Sequence, residues 1–338
     1  MTNDDRIVRT WPVPSLGSLF AVRPRGRPPA LDLTYRPSSP EHSWYRFRGP
    51  EALTTSEQTV LLALLEIAQQ RCLRDLAAAH LGPTSADRVG RQLWAALYRG
   101  QAQADASPVL RFRTTWSELS ARCGTSDGGA VLRLRQAQVQ RLCEVVVWEY
   151  APGSSVPRHQ SQLLAWCHGT EDGVHLALNV GMVRAVLGER YASVSLAERL
   201  SLAGDCAQAA HAYLSTLLRG SRSLRIGVDT LAARIWPGQT PPPQGTRRRR
   251  RADLRSALAR IGALAGWRVH SDDGEVYEVR RRAPQSAPIA ADAAAEGRRH
   301  GGSAEPSSDA GLPSVVADTA SLAHLAAAFA DGEQAFAK

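Results

Sequence analysis

The sequence predicts an α+β fold made of two tandem copies of one small unit of helices and a β-hairpin, followed by a disordered C-terminal tail. Three observations predict it. An internal repeat relates residues 110–124 to residues 224–238, the net positive charge is concentrated around the second copy, and residues 283–338 are rich in Ala, Ser, Pro and Gly. A segment of that last composition cannot bury enough apolar surface to become ordered.

The repeat shows the same elements in the same order in both copies. The segments LRFRTTWSELSARCG (110–124) and LRIGVDTLAARIWPG (224–238) each indicate a short strand followed by a helix that ends at a glycine. A longer helix, a strand, a turn and a return strand follow: Ala130–Leu142, Val145–Tyr150, Pro152–Ser155 and Gln162–Cys167 in the first copy, and Thr246–Leu264, Trp267–Ser271, Asp272–Gly274 and Glu275–Arg281 in the second. Strand, helix, longer helix and hairpin is the order of a winged helix.

The remaining predicted elements are two short strands in an N-terminal arm, one long helix, and one leading helix before each copy: Ala30–Tyr35, Trp44–Arg48, Thr54–Gln70, Ala86–Tyr98 and Asp205–Leu218. Apolar residues at helical spacing define the long helix, with Thr54 or Thr55 as its N-cap. Each leading helix is expected to complete a three-helix core. The predicted domains are the arm (1–49), a first winged helix (50–180), a second, basic winged helix (181–282) and the acidic tail (283–338).

Charge is distributed unevenly along the chain. The formal net charge of +9 divides into +4 for residues 1–48, zero for 49–218, +9 for 219–282 and −4 for 283–338. A basic block on a neutral body is typical of a protein that binds a polyanion. Together with the helix-turn-helix pattern, it predicts double-stranded DNA as the partner.

The helix Thr246–Leu264 is the predicted DNA reader. At about 100° per residue, its apolar residues Leu254, Leu258, Ile261 and Ala265 share the face that must pack on the core. Small residues on the opposite face let a helix approach a groove, and arginines can reach phosphates or guanine edges. The predicted contacts on this helix and on the wing are Arg247, Arg248, Arg249, Arg250, Arg251, Arg255, Ser256, Arg280, Arg281 and Arg282. The run of five arginines opposes the helix dipole and costs stability unless an anion neutralises it.

The first copy offers a weaker candidate surface. Its longer helix carries Arg133, Gln136 and Gln140 on the face away from the apolar residues. Arginine and glutamine are able to read bases. That part of the chain is electrically neutral, however, and glutamines on a helix are often only solvated, so both interpretations stay open.

Several classes of enzyme are excluded by composition. Lys338 is the only lysine, whereas a P-loop, a kinase site and a Schiff base each need one. The motif G-x-S-x-G at 124–128 follows a predicted helix rather than a strand, so it does not indicate a nucleophile elbow. We predict no catalytic residue, no cofactor and no enzymatic activity. The tryptophans in predicted elements are expected to be core anchors rather than a stacking platform.

Cysteine usage and the N-terminus indicate the compartment. The five cysteines contain no C-x-x-C pair, which argues against a disulfide framework and a metal site. The first residues, MTNDDRIVRT, lack an apolar segment, and the longest apolar stretch is too short to span a bilayer. We therefore expect a cytoplasmic protein that has no membrane partner.

An ordered set of segments resembles a known family. The segments are LDLTY (31–35), FRGPEALTTSE (47–57), LALNVGMVRAVLGERYASVSLAE (176–198), IGVDTLAARIWPG (226–238) and RRRRADLRSALARIGALAGWRV (248–269). Together they are similar to the RepC replication initiators of IncQ-type plasmids, a family of iteron-binding, tandem winged-helix proteins. The resemblance implies binding to directly repeated iterons at a plasmid origin, melting of an adjacent A+T-rich segment, and recruitment of a helicase and a primase. It also implies a monomer on DNA and a dimer off DNA that would limit plasmid copy number.

Two other functions use the same winged helices. A transcriptional regulator would bind one palindromic operator, and a structural chromosome-binding protein would show little sequence preference. Direct repeats admit a monomer at each site, whereas a repressor dimer requires a palindrome. The arrangement of the bound sites therefore separates an initiator from a regulator.

Overall fold

The protein is described by a computed structural model that covers residues 6–22, 28–99, 109–169, 173–218, 223–238 and 242–282. The helices, named α1 to α11 in chain order, are Pro12–Leu16, Thr55–Cys72, Leu76–Ala79, Arg88–Tyr98, Trp116–Arg122, Gly129–Cys143, Val180–Leu187, Leu196–Ser201, Asp205–Leu217, Val228–Ile235 and Gln244–Gly262. The predicted disordered tail lies outside the described residues.

The strands, named β1 to β15 in chain order, are Ile7–Thr10, Phe20–Ala21, Leu31–Tyr35, Trp44–Gly49, Leu53–Thr54, His80–Leu81, Val109–Thr115, Val146–Tyr150, Pro157–Gln162, Leu164–His168, Gly173–Leu178, Ala192–Ser195, Ser223–Gly227, Trp267–His270 and Val276–Arg281. They form sheets in the orders β3-β4-β8-β9, β10-β11-β7-β6 and β13-β15-β14, with the pairs β1-β12 and β2-β5 beside them. The fold is therefore mixed α and β, as predicted.

Helix α2 is the centre of the first hydrophobic core. Thr54 is its N-cap, and the backbone N–H of Thr54 donates to Glu57 Oε2 at 2.9 Å, which completes a capping box. The helix packs against α5, α6 and β7, and its apolar residues are buried on nearly every side. The predicted helix and its cap are thus confirmed, as are the two strands in the arm, β3 and β4.

The second copy has the predicted elements in the predicted order. Strand β13 pairs with β15, and β15 pairs with β14, all antiparallel. Helix α9 packs against α11 and α10. Leu231, Leu254, Leu258, Ile261 and Val279 are fully buried in a second hydrophobic cluster. One sheet and three helices thus enclose this core.

The first copy differs from its prediction in strand pairing. The predicted return strand Gln162–Cys167 is wrong, because it is divided at Leu163 into β9 and β10, which belong to different sheets. The hairpin β8–β9 pairs with β4, whereas β7 pairs with β11. The order β10-β11-β7 therefore matches β14-β15-β13, and β8–β9 is an additional hairpin. Periodicity shows which residues share a face but does not show which distant strand supplies the partner.

The predicted role of the leading helix Ala86–Tyr98 is also wrong. As α4, it packs against β10 and β11, where Leu93 and Leu97 meet Ala165 and Ala177 in a small separate cluster. The third helix beside α5 and α6 is α2. An apolar helix face can cover either side of a sheet, and the sequence alone does not distinguish the two.

Two further expectations about single residues change. Ala265 lies beyond the end of α11 and is exposed, and Ala257 completes the apolar face in its place. Trp267 is a core residue with 4% exposure. Trp148, by contrast, lies half-buried on the outer face of the sheet β3-β4-β8-β9.

All five cysteines are free, and Cys72 and Cys123 are buried. Burial raises the pKa of the Cys72 thiol to about 12. No helix within the described ranges is long and apolar enough to cross a membrane.

Candidate nucleic-acid interface

Helix α11 divides sharply into a buried face and an exposed face. Leu254, Leu258 and Ile261 have no exposed surface. Arg248 and Arg249 are exposed, and the side chain of Arg249 is 85% accessible. The predicted periodicity of this helix is confirmed, since its apolar residues hold the helix on the core and leave the arginines in solvent.

Small side chains occupy the middle of the exposed face. Ala252, Ser256 and Ala259 are all exposed. Because none of them projects far from the backbone, this face is able to approach a concave or grooved partner closely. The larger arginines lie along the same helix, toward its N-terminus.

Asp229 holds two of the predicted arginines. It lies in the first turn of α10, and Arg251 Nε donates to Asp229 Oδ1 at 2.8 Å while Arg247 donates to the same carboxylate. Hydrogen bonds from Arg251 and Arg247 hold the pKa of Asp229 well below its usual range. Asp229 was not identified from the sequence. An acidic residue in the helix that precedes a run of arginines could have predicted an ion pair between the two helices.

A second set of contacts joins α11 to the hairpin β14–β15. Arg255 Nε donates to the carbonyl oxygen of Gly274 at 3.0 Å, and Arg255 Nη2 donates to Glu275 Oε1. Gly274 has a φ of +70°, so the turn favours a glycine at this position. Arg255 is half-buried and orients the hairpin relative to the helix.

Arg250 and Arg280 have weaker local partners. The Arg250 guanidinium lies 5.4 Å from the ring centroid of Trp236, which is a cation–π geometry. Arg280 Nη2 donates to Glu278 Oε1 at 2.7 Å, yet 62% of the Arg280 side chain is exposed. Arg282 is exposed at the end of the hairpin.

Arg281 is the predicted contact that the structure removes from the interface. Only 2% of its side chain is exposed, because alternation along β15 turns it inward together with Val279. Arg281 Nη1 donates to the carbonyl oxygen of Ser193 at 2.8 Å, and Arg281 Nη2 donates to Glu198 Oε2 at 3.1 Å. Arg281 lies two residues after Val279, and residues two apart on a strand share a face. The sequence therefore contained an indication that Arg281 points inward.

Glu198 is the centre of this buried polar cluster. It also accepts a hydrogen bond from Trp267 Nε1 at 3.1 Å and lies 2.8 Å from His211 Nε2. Burial raises the pKa of Glu198, but the hydrogen bond with His211 and the charge of Arg281 together lower it by more. The net pKa lies below its usual value, so Glu198 is held ionised. The cluster joins α8, α9 and the sheet of the second copy.

The first-copy candidates lie on α6, separate from the arginines of α11. Arg133 is exposed and Gln136 is half-buried. Gln140 Nε2 donates to Glu144, and Gln140 Oε1 accepts from Trp166 Nε1 at 3.0 Å, so both ends of this amide are engaged. Leu134 on the same helix is 49% exposed.

The described part of the chain contains no group of His, Cys, Asp or Glu side chains that could hold a metal ion. The described charges on the exposed face of α11 are mainly cationic, and Asp229 and Glu275 fix the positions of three arginines beside it. Fixed guanidinium groups beside small residues are suited to bind anions in a defined geometry.

Comparisons with known proteins give one family match. A family model described as replication protein C (RepC) matches residues 17–283. None of the curated proteins matches the chain.

Two solved structures of RctB are similar in shape. A crystal structure of selenomethionine derivatives of domains 2 and 3 of RctB gives a TM-score of 0.49 at 11% identity, covering 81% of this chain and 99% of the RctB chain. A crystal structure of RctB domains 2–3, residues 155–483, gives a TM-score of 0.47 at 11% identity, covering 80% and 97%. Both TM-scores are below 0.5.

Proposed function

Because the chain belongs to the replication protein C family, we propose that it is a plasmid replication initiator that binds directly repeated iteron DNA at an origin. The single observation that carries this proposal is the exposed face of α11, on which arginines surround small residues. In this role the N-terminal half of α11 enters the major groove. Arg248 and Arg249 then contact phosphates or guanine edges, as arginines do in helix-turn-helix readers.

The chain acts, in this proposal, through two winged-helix domains. The element order from β13 to β15 and the matching sheet order β10-β11-β7 support this interpretation. Two linked DNA-binding modules gain affinity because the second binds at a high effective concentration. A tandem chain is therefore suited to bind one iteron as a monomer. In the same proposal, a dimer that forms off DNA limits the plasmid copy number.

Origin opening would proceed without nucleotide hydrolysis by this chain. Initiators that fill an iteron array can favour bent or opened DNA by binding it more tightly than straight duplex. We propose no cofactor and no enzymatic activity, because the only lysine, Lys338, is not part of a P-loop pattern. Recruitment of a plasmid helicase and primase rests on the family resemblance, as does the proposed cytoplasmic location.

Replacing both exposed arginines tests the role of α11 directly. We expect Arg248→Gln with Arg249→Gln to weaken binding to iteron duplex by about tenfold or more, because each bidentate guanine contact is worth about 1–3 kcal/mol. Where an arginine pairs with a phosphate instead, its replacement also lowers the slope of log K against log salt, by about 0.9 for each phosphate. Fluorescence anisotropy across a salt series measures both quantities.

The matched control is Arg74→Gln with Arg88→Gln. It removes the same charge from exposed sites on the first part of the chain, and we expect duplex affinity close to that of the wild type. If the α11 variant kept both the affinity and the salt slope of the wild type, α11 would not be the reading helix.

The arrangement of bound sites tests initiator against regulator. Footprinting on the plasmid region that flanks the gene should reveal directly repeated sites. A single inverted repeat would instead favour a transcriptional regulator, and protection without sequence preference would favour a structural DNA-binding protein. Transformation with a minimal origin, with and without the gene, then shows whether replication depends on this protein.

A further inference from the structure

The sheet β3-β4-β8-β9 has an outer face that the proposed iteron-reading site does not use. Its inner face packs on the first hydrophobic cluster through Leu33, Phe47 and Val147. Because side chains alternate along each strand, the residues between these point away from the core. One row of outward residues crosses all four strands in register: Thr34, Arg46, Trp148 and Gln160.

Aromatic rings are concentrated on this outer face. Trp44 lies directly opposite Tyr150, and the two rings stack with centroids 3.6 Å apart and planes 5° from parallel. Trp148 lies in the next row and donates from Nε1 to Gln160 Oε1 at 3.0 Å. Trp44 and Trp148 remain partly exposed, whereas Tyr150 has only 8% exposure. Burial in the core therefore does not explain the positions of the two tryptophans.

Arginines surround these rings. The Arg36 guanidinium lies 4.4 Å from the ring centroid of Trp44. Because Tyr150 stacks on one face of that ring, the guanidinium has room only over the other face. Arg46 and Arg48 follow Trp44 on the same face of β4, and both contact Asp32, at 2.8 Å and 3.3 Å. On the outward positions of these strands, as far as the structure describes them, Asp32 is the one carboxylate. It is outnumbered by Arg36, Arg46, Arg48 and the exposed Arg158.

We propose that this face, defined by Arg36, Trp44, Arg46, Arg48, Trp148 and Arg158 and named here the aromatic face, binds single-stranded DNA. Aromatic side chains that alternate with cations are the means by which proteins hold single strands, since bases stack on the rings and phosphates pair with the arginines. Duplex DNA does not fit, because its bases are already stacked on one another. The proposal rests on the proposed function, since an initiator that opens duplex DNA produces a single strand that must be kept from reannealing.

The geometry indicates how a strand would lie. Trp148 and Tyr150 are two residues apart on β8, which separates their positions by about 7 Å along the strand. One base stacks on Trp148, and the next displaces Arg36 from the open side of Trp44. Arg36 is exposed and follows the last residue of β3, so it can turn toward a phosphate when the base enters.

The test measures single-strand and duplex binding on the same full-length variants. The probes are a labelled oligothymidylate and a labelled iteron duplex, followed by fluorescence anisotropy. We expect Trp148→Leu, and separately Arg36→Gln with Arg48→Gln, to weaken oligothymidylate binding by about fivefold or more, the effect expected when one base no longer stacks or two phosphates no longer pair with a cation. Duplex affinity should be unchanged. The arginine variant changes only exposed side chains, so it should stay folded. It therefore still tests the aromatic face even if Trp148→Leu unfolds.

The α11 variant Arg248→Gln with Arg249→Gln is the matched control. It should weaken duplex binding by about tenfold or more and leave oligothymidylate binding unchanged. If oligothymidylate binding were absent from the wild type, unchanged in both aromatic-face variants, or lost only in the α11 variant, the aromatic face would not be a single-strand site. If the wild type bound oligothymidylate through the aromatic face but did not bind iteron duplex, the proposed function would fail and this site would remain.

Discussion

Arg281 and Arg282 are neighbours in the sequence, but their surroundings are opposite. Arg281 is buried against Glu198 and lies 4.9 Å from the ring centroid of Trp267. Arg282 is exposed. A buried ion pair is costly to break, because removal of one partner leaves the other charge desolvated and unpaired. The two residues should therefore affect different properties of the protein.

We expect Arg281→Gln to lower the free energy of unfolding by roughly 3–5 kcal/mol, because Glu198 loses its cationic partner. Arg282→Gln should change stability by less than about 0.5 kcal/mol, as surface substitutions usually do, and should weaken DNA binding instead. Urea denaturation of both variants, with duplex binding measured below the unfolding midpoint, separates the two effects. Equal stability of the two variants would contradict the buried position of Arg281.

Helix α10 and the hairpin β14–β15 hold α11 in a defined geometry. Asp229 on α10 contacts Arg247 and Arg251, and Glu275 after the hairpin turn contacts Arg255. These carboxylates offset part of the mutual repulsion in the arginine run. They also fix the directions of guanidinium groups that would otherwise be free to reach any nearby phosphate. Specificity for one DNA sequence depends on such fixed donors more than on total charge.

Asp229→Asn should consequently reduce sequence discrimination. Released Arg247 and Arg251 become available to the phosphate backbone, so we expect binding to non-specific duplex to tighten and the ratio of specific to non-specific affinity to fall by about fivefold or more. Competition binding with iteron and scrambled duplexes measures this ratio.

Asp253→Asn provides the matched control for charge. Asp253 lies on α11 itself and has only a 4.0 Å contact with the exposed Arg249. This variant changes the net charge by the same amount but leaves the contacts of Asp229 with Arg247 and Arg251 intact. An equal loss of discrimination in both variants would show that charge, not positioning, is responsible.

The N-terminal residues are part of the core. Strand β1 pairs with β12, with Ile7 opposite Ser195. Arg6 Nε and Nη2 donate to the two carboxylate oxygens of Glu66, each at 2.8 Å. Val8, Leu19 and Phe20 belong to the first hydrophobic cluster. The sequence indicated an arm at this end of the chain, but residues 6–22 connect elements that are far apart in sequence.

Deleting residues 1–10 should therefore destabilise the fold. The deletion removes β1, the buried Val8 and Arg6, which is one of the two arginines that contact Glu66. We expect a loss on the order of 3–5 kcal/mol in the free energy of unfolding. Thermal and urea denaturation measure it. Because α11 is not touched, duplex affinity below the unfolding midpoint should be retained. An unchanged midpoint would show that β1 does not contribute to the core.

Local patterns in the sequence determined several features correctly. The apolar spacing of Leu254, Leu258 and Ile261 identified the buried face of α11, and Thr54 marked the start of α2. These features depend on residues within one or two turns of each other, so periodicity and capping are sufficient to predict them. The hairpin β14–β15 of the second copy was predictable for the same reason, because its two strands follow one another in the chain, whereas Ser223 of β13 pairs with the distant Arg280 of β15.

Only the tertiary structure decided which distant elements meet. It paired β8–β9 with β4 instead of β7, placed α2 rather than α4 beside α6, and turned Arg281 toward Glu198. It also left Trp44 and Trp148 on an outer sheet face beside arginines. An alternating pattern predicts which side chains share a face. Which element packs against that face depends on residues that are far away in the sequence, and the pattern does not identify them. The basic helix could therefore be predicted from the sequence. The contacts of Asp229 with Arg247 and Arg251 and the aromatic face were found only in the folded structure.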